Sequence, residues 1–289
     1  MFFRWDWLRP VLTAPIVPTL GPVHPHALTV DLFEDIRTAA AMDRYFLHYD
    51  KDRRWSSEKD ETVIADGIVH QPDVTLIPTL STRGRGTTKV FAYGHRGDIL
   101  SEAADLAAKI AAEYGVAGAR VVRPLGPEAV PVSGVRIQLQ DFAARPCEDR
   151  GGPVRPFTAW PAAVRDTFEP YAQAMAADGL LFLHSQMQAG LCGPVLTAAL
   201  EGRVVGAIGP MEIRPDAVGY RQLMPQYFAV LPDARGNGLG RLLWRAAMHW
   251  GQSHGADYQL LQTEVGGASD QLCRAERLAS LGFVTTHKV

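Results

Sequence analysis

A short apolar run followed by a glycine-rich turn and an amphipathic stretch, residues 227–254, constrains this chain more than any other segment. Tyr227 to Leu231 reads as a buried strand, ended by Pro232 and Asp233. Arg235-Gly-Asn-Gly-Leu-Gly-Arg241 follows, and from about Leu239 to His254 the apolar spacing is that of a helix. A strand, a glycine-rich turn and a helix in that order make an anion site. Glycines let a ligand approach the backbone closely, and the first helical N–H groups have no partner inside the helix. The helix dipole adds positive potential at that end, and Arg235 and Arg241 add full charges. The matching ligand is a phosphate or pyrophosphate.

Two familiar phosphate templates fit poorly. The P-loop needs four residues between its glycines and then Gly-Lys-Ser/Thr, and this turn has neither. A dinucleotide fold needs G-x-G-x-x-G directly after a strand. Here Arg241 stands at the third glycine, and Pro-Asp-Ala-Arg separates strand from turn, which argues against an NAD-linked oxidoreductase. The stretch Val230-Leu-Pro-Asp-Ala-Arg-Gly-Asn-Gly-Leu-Gly240 resembles the acyl-CoA pyrophosphate loop of the GNAT superfamily of N-acetyltransferases, R/Q-x-x-G-x-G/A behind a V-x-P-x-x strand end.

The first half of the chain reads as a separate α/β unit. Pro10, Pro15, Pro18, Pro22 and Pro25 mark residues 1 to about 30 as an extended lead-in packed on the body. Residues 30–49 have helical spacing at Leu32, Ile36, Ala39, Ala40, Met42 and Phe46, and the charged residues 50–60 read as an exposed loop. Residues 74–80 and 87–93 read as strands around a polar turn. A helix is predicted over 99–114, with Asp98 and Ser101 near its start and Gly115 at its end, then strands over 119–123 and 135–139. The passage from helix through Gly115 to strand recurs at an offset of 140, at 239–254, Gly255 and 258–262, as an internal repeat would. Where the second copy has its glycine loop, the first has Gly94-His-Arg-Gly-Asp98. His95, Arg96 and Asp98 there read as a solvated turn rather than as chemistry. Residues 143–156, with Pro146, Gly151, Gly152, Pro153 and Pro156, read as a linker. The predicted domains are therefore 1–145 and 150–289.

In the second half, residues 159–177 read as helical with a break at Pro170. Residues 195–200 and 203–208 form a hairpin around Glu201-Gly202, 222–231 and 256–262 are strands, and 269–280 is a helix. The hairpin resembles the second and third strands of the superfamily, and Leu281-Gly-Phe283 resembles the sequence that closes its fourth helix. The resemblance covers about residues 150–289. It implies an α/β (α+β) mixed-sheet protein, with the GNAT fold in the C-terminal half and a smaller α/β N-terminal domain that reads as a degenerate GNAT-like half.

The resemblance also implies a chemistry: transfer of acetyl from acetyl-CoA to the amine of a small molecule, by direct attack in a ternary complex. Arg235, Gly236, Asn237, Gly238, Leu239, Gly240 and Arg241 would hold the pyrophosphate. A backbone N–H within Phe228, Ala229 and Val230 would donate to the thioester carbonyl. An alkyl amine, with a pKa of roughly 10, is mostly ammonium at neutral pH, so a base is needed, directly or through water. The superfamily's glutamate on the fourth strand has no counterpart in 222–231. The place of its general-acid tyrosine is Leu278, and Gln271 falls near that of its asparagine. Glu264, Tyr227 and Glu212 are the local catalytic candidates. Cys273, His249 and His254 read as structural. The alternative is a CoA-binding sensor or scaffold with little catalysis. Homodimerisation, common in the superfamily, is implied by the resemblance alone.

Composition narrows the partners. Lys+Arg number 29 against Asp+Glu 31, so no basic excess points to nucleic acid. Cys147, Cys192 and Cys273 show neither metal spacing nor a disulfide framework, which suits a reducing cytoplasm. The early charges Arg4 and Asp6 do not fit a signal peptide, and no run approaches the ~20 apolar residues of a membrane span.

Overall fold

Helix Ile99–Tyr114 carries a stripe of small and branched residues, Ile99, Ala103, Ala107, Ile110 and Ala111, all buried. It ends where Gly115 enters the left-handed region at φ 64°, donating its N–H to the carbonyls of Ala111 and Ala112. The alanines let it lie close to a sheet whose facing residues are Val74, Leu76, Val90, Ala92 and Val121. The structure is a computed structural model that describes residues 5–147 and 152–289. By contacts the chain divides into two compact units, 1–139 with 260–289, and 140–259. The division passes through strands Val135–Asp141 and Tyr258–Glu264. The tail 260–289, which the sequence-based division assigns to the second domain, thus groups by contacts with the first half.

The first unit is built on a mixed sheet. Thr87–Gly94 pairs antiparallel with Val74–Ser81 and parallel with Gly118–Leu125, the crossover between the parallel strands being helix Ile99–Tyr114. Val74–Ser81 also takes Glu61–Val63 and Val69–Gln71 along its length. Gly118–Leu125 pairs antiparallel with Ala279–Lys288, which pairs in turn with Val135–Asp141.

Three expectations for this unit need correction. The helix predicted over 30–49 stops at Ala41, because Asp43 and Arg44 adopt positive φ; Phe46 is buried from the loop that follows. The charged segment 50–60 is not wholly exposed. Asp50 and Lys59 are 1% and 6% exposed and form an ion pair, and Lys59 also donates to the Thr19 carbonyl at 2.7 Å. Burial is possible because each charge has its partner in place. Finally, the last helix ends at Ala275, and Ala279–Lys288 is a strand containing Leu281-Gly-Phe283. Gly282 has φ 126° and a Cβ there would stand 2.4 Å from the Leu125 carbonyl, so the register slip at this point requires glycine.

In the second unit, Arg203–Gly209 pairs antiparallel with Leu196–Leu200 on one side and Tyr227–Val230 on the other, and Val154–Pro156 completes the sheet beside Leu196–Leu200. Part of the predicted linker is therefore an edge strand. Pro156 and Pro153 suit an edge, where no ladder N–H is demanded. Gly151 lies outside the described residues. Helix Leu239–Ser253 buries Leu239, Leu243, Trp244, Ala247, Met248 and Gly251 along one stripe. It packs so closely on Arg203–Gly209 that a Cβ on Gly206 would stand 2.8 Å from Leu243 Cδ1. Pro170 does not break a helix. It sits in the first turn of Phe168–Ala174, where its missing N–H has no helical partner to lose. The breaks fall between Arg165 and Phe168 and at Met175, and Gly179, φ 80°, then leads into helix Leu180–Gln188.

Candidate active site

The segment predicted as one strand over 222–231 is two strands with different neighbours. Arg221–Leu223 runs parallel to Tyr258 and Gln259, with Leu223 opposite Gln259. After Met224, Pro225 and Gln226 the chain becomes Tyr227–Val230 and pairs instead with Arg203–Gly209. Pro225 has no N–H to offer a ladder, which suits an interruption here. The Met224 N–H turns to the Glu212 carbonyl at 2.9 Å. Gln226 Nε2 donates to the Met224 carbonyl at 2.5 Å, and the fully buried Gln259 donates to Gln226 Oε1 at 2.6 Å.

This interruption leaves a strand edge open. The Leu231 N–H donates to the Val205 carbonyl at 2.8 Å, and Ala229 faces Ala207 in register. Alternation along an antiparallel ladder then turns the N–H groups of Tyr227 and Ala229 toward that neighbour, and those of Phe228 and Val230 to the opposite side. Tyr227–Val230 is the terminal strand of its sheet, so among the described residues no strand pairs with that side. Two N–H donors face one way from a strand whose inner residues Ala229 and Val230 are buried.

The glycine loop follows at the C-terminal end of the same strand. Pro232–Ala234 makes one tight turn, closed by the Ala234 N–H on the Leu231 carbonyl at 3.0 Å. Arg235 Nε donates back to the Val230 carbonyl at 3.0 Å. Gly236 and Gly238 have φ 82° and 77°, and a Cβ on either would meet nothing within 4 Å. Helix Leu239–Ser253 starts from Gly238 with no side-chain cap and no acidic residue in its first turn. Leu239 and Gly240 precede the first i−4 bond, which runs from the Leu242 N–H to the Gly238 carbonyl, so their N–H groups are the unmatched ones of a helix start. Asn237 is exposed, its side-chain amide 3.5 Å from the Arg235 carbonyl. Asp233, the one carboxylate in this loop, is bound by Arg203 at 2.7 Å, which holds it below the usual carboxylate range. An open cradle of N–H groups with its nearby acid neutralised fits an anionic group such as a pyrophosphate.

The turn before helix Ile99–Tyr114 in the first unit is closed. Arg96 is bound by Asp98 at 2.6 Å, by Glu102 and by Gln71 at 2.6 Å, with Asp73 3.9 Å away. Asp98 and Glu102 therefore stand at the start of helix Ile99–Tyr114 as its own anions. Of the residues read as a solvated turn, His95 and Asp98 are exposed, and Arg96 and Asp98 join in the ion-pair cluster.

The catalytic candidates are not gathered in one unit. Tyr227 and Glu212 belong to 140–259 and Glu264 to the other unit. The Tyr227 ring lies on Gly179, where a Cβ would stand 2.5 Å from its Cε1, and 5.8 Å from the ring of Phe182. Glu212 accepts from Arg214 Nε at 2.5 Å. Glu264 is the exposed last residue of its strand, its carbonyl taken by the Gly267 N–H. Leu278 is buried, and Gln271 donates to the Gly266 carbonyl at 3.0 Å. Cys273 is 2% exposed, and burial, aided by Asp270 and Glu276, pushes its thiol up to about 12. A thiol so reluctant to ionise is a poor nucleophile. His249 Nδ1 lies 2.9 Å from the Cys147 carbonyl, and His254 stacks on Trp250. Two features escaped the sequence reading. The Gln226–Gln259 bond joins residues 33 apart, and Phe182 sits in an apolar run, Leu-Leu-Phe-Leu, too short to reveal a helical period.

Residues 159–283 match the model of the acetyltransferase (GNAT) family. No curated protein matches the chain. Among solved structures, the chain is similar to a GCN5-related N-acetyltransferase from Kribbella flavida, with 12% identity and a TM-score of 0.47 over 89% of this chain and 94% of that one. A GCN5-related N-acetyltransferase from Sphaerobacter thermophilus gives 14% identity and 0.46 over 75% and 80%. A tandem GNAT protein from the clavulanic acid biosynthesis pathway gives 11% and 0.45 over 90% and 94%.

Proposed function

From the acetyltransferase (GNAT) family domain that residues 159–283 form, we propose that this protein is an N-acyltransferase that moves acetyl from acetyl-CoA to the amine of a small molecule. The observation that carries this reading is the open cradle from Arg235 to Arg241 at the end of a strand with a free edge. Gly236, Asn237, Gly238, Leu239 and Gly240 would take the pyrophosphate on backbone N–H groups, with Arg235 and Arg241 adding charge. The N–H of Phe228 or Val230 would polarise the thioester carbonyl.

Acetyl-CoA supplies an activated acyl group: the amine nitrogen bonds to its carbonyl carbon, and the sulfur leaves with the electron pair of the broken bond. The amine must first lose a proton, and the departing sulfur must gain one. Glu212 and Tyr227, in the unit that holds the glycine loop, are the proposed proton carriers, acting directly or through water. The three free cysteines support a reducing, cytoplasmic setting.

One observation favours a second reading, a CoA-binding sensor. Leu278 stands where the superfamily's acid is expected, and Glu212 is already engaged by Arg214. Calorimetric titration with acetyl-CoA, CoA and NAD, followed by thiol release from acetyl-CoA with a panel of amines, separates the two. Micromolar acetyl-CoA binding with amine-dependent release supports the transferase, and binding without release supports the sensor. If neither acetyl-CoA nor CoA binds, both readings fall.

A further inference from the structure

We infer that the acceptor amine carries an aromatic group, held against the rings of Phe182 and Tyr227. The inference rests on the acyl transfer proposed above and concerns the far end of the same strand. The glycine loop follows Val230, so a ligand anchored there and lying along the open edge directs its distal end toward Tyr227. The acceptor must meet it at that end.

Side-chain alternation sorts what the acceptor finds there. Phe228 and Val230 face helix Leu239–Ser253, since a Cβ on Gly240 would stand 3.6 Å from Phe228 Cζ and 3.9 Å from Val230 Cγ2. Tyr227 faces the other way, onto Gly179 and Phe182 at the start of helix Leu180–Gln188. The close fit on Gly179 sets the orientation of the Tyr227 ring. The Phe182 ring lies 5.8 Å away at 57°, a tilted pair of the kind aromatic rings prefer. Phe182 remains 41% exposed and Leu181 40%, although Leu180 and Leu183 beside them are fully buried. A half-exposed aromatic pair at the reacting end of a site suits a flat apolar substituent and gives little to a polyamine or an aminoglycoside.

The test compares 2-phenylethylamine, n-butylamine, putrescine and kanamycin as acceptors, in wild type and in Phe182→Ala and Phe182→Tyr. The expected KM for 2-phenylethylamine is lower than for n-butylamine by about tenfold or more, the discrimination an apolar pocket supplies. Phe182→Ala should raise that KM by about tenfold while its calorimetric affinity for acetyl-CoA stays within about twofold of wild type. Phe182→Tyr, which keeps the ring, should retain the preference. Equal KM values for the two monoamines, a preference for putrescine or kanamycin, or no effect of Phe182→Ala would each overturn the aromatic assignment while acetyl-CoA still binds. Failure of wild type to bind acetyl-CoA would instead remove the transferase reading, and this inference with it.

Discussion

The Arg235 side chain folds back to donate to the carbonyl of Val230 at 3.0 Å, which ties the glycine loop to the strand it leaves. Arg235→Met should weaken acetyl-CoA binding by about 10- to 100-fold, the worth of a hydrogen bond to a charged group. Arg235→Lys should recover only part of this, because an ammonium cannot reproduce the planar fork. Calorimetry on both variants decides; equal affinities in all three proteins would remove Arg235 from the site.

Gly238 allows strain and charge to be separated. Its φ of 77° is unfavourable for any side chain, but asparagine tolerates that region and adds no charge. Gly238→Asn should bind acetyl-CoA weakly, and Gly238→Asp should not bind measurably, because its carboxylate would face the pyrophosphate. Wild-type affinity in Gly238→Asp would show that the loop is wrongly assigned.

Binding should saturate at one acetyl-CoA per chain. The start of helix Ile99–Tyr114 in the first unit already carries Asp98 and Glu102 on Arg96, which repel and exclude a phosphate. The calorimetric stoichiometry reads this directly, and a value of two would contradict the closed cluster.

Arg136 and Asp270 give a stability test away from the site. Asp270 is fully buried and accepts from Arg136 Nε at 2.7 Å and from the Gly266 N–H at 3.1 Å. Burial alone would push the Asp270 carboxyl up; the Arg136 hydrogen bond, the Gly266 N–H, the Arg136 charge and Thr263 outweigh it and hold it below the usual range. A depressed folded value means stability that is present above the unfolded pKa, about 3.9, and lost as pH falls through the folded one. Arg136→Met should cost about 3–5 kcal/mol near neutrality by leaving a buried charge unpaired. The gap to wild type should narrow as pH falls toward about 4, where protonation relieves the orphaned carboxylate. Urea unfolding at several pH values measures it, and a gap that widens in acid would refute the account.

What the sequence disclosed follows from how local each signal is. Helix 99–114 matches its prediction end to end because a 3.6-residue stripe and a left-handed Gly115 are both written within one segment. The glycine loop was legible for the same reason. The partner switch after Leu223 was not, since strand periodicity looks alike whichever neighbour is paired, and Pro225 alone does not say that the ladder changes hands. The Asp50–Lys59 pair was hidden because charged residues are ordinarily exposed, and only the Thr19 carbonyl and the surrounding fold make their burial tolerable. The start of strand Ala279–Lys288 is hidden because Leu281-Gly-Phe283 resembles a helix-closing sequence; the run Val284-Thr285-Thr286 after it favours a strand.

The short strand Tyr227–Val230 is bracketed by Pro225 and Pro232. An unpaired edge is usually a hazard, because a strand from another molecule can add to it and seed aggregation. Here Pro232 limits that risk: it is the next open-side position after Val230 and has no N–H, so within the strand the bare edge is confined to the donors of Phe228 and Val230. Such an edge is too short to template a new strand, yet long enough to grip a narrow chain-like molecule. The imino acid that closes this strand would thus let a protein keep backbone donors bare without becoming sticky.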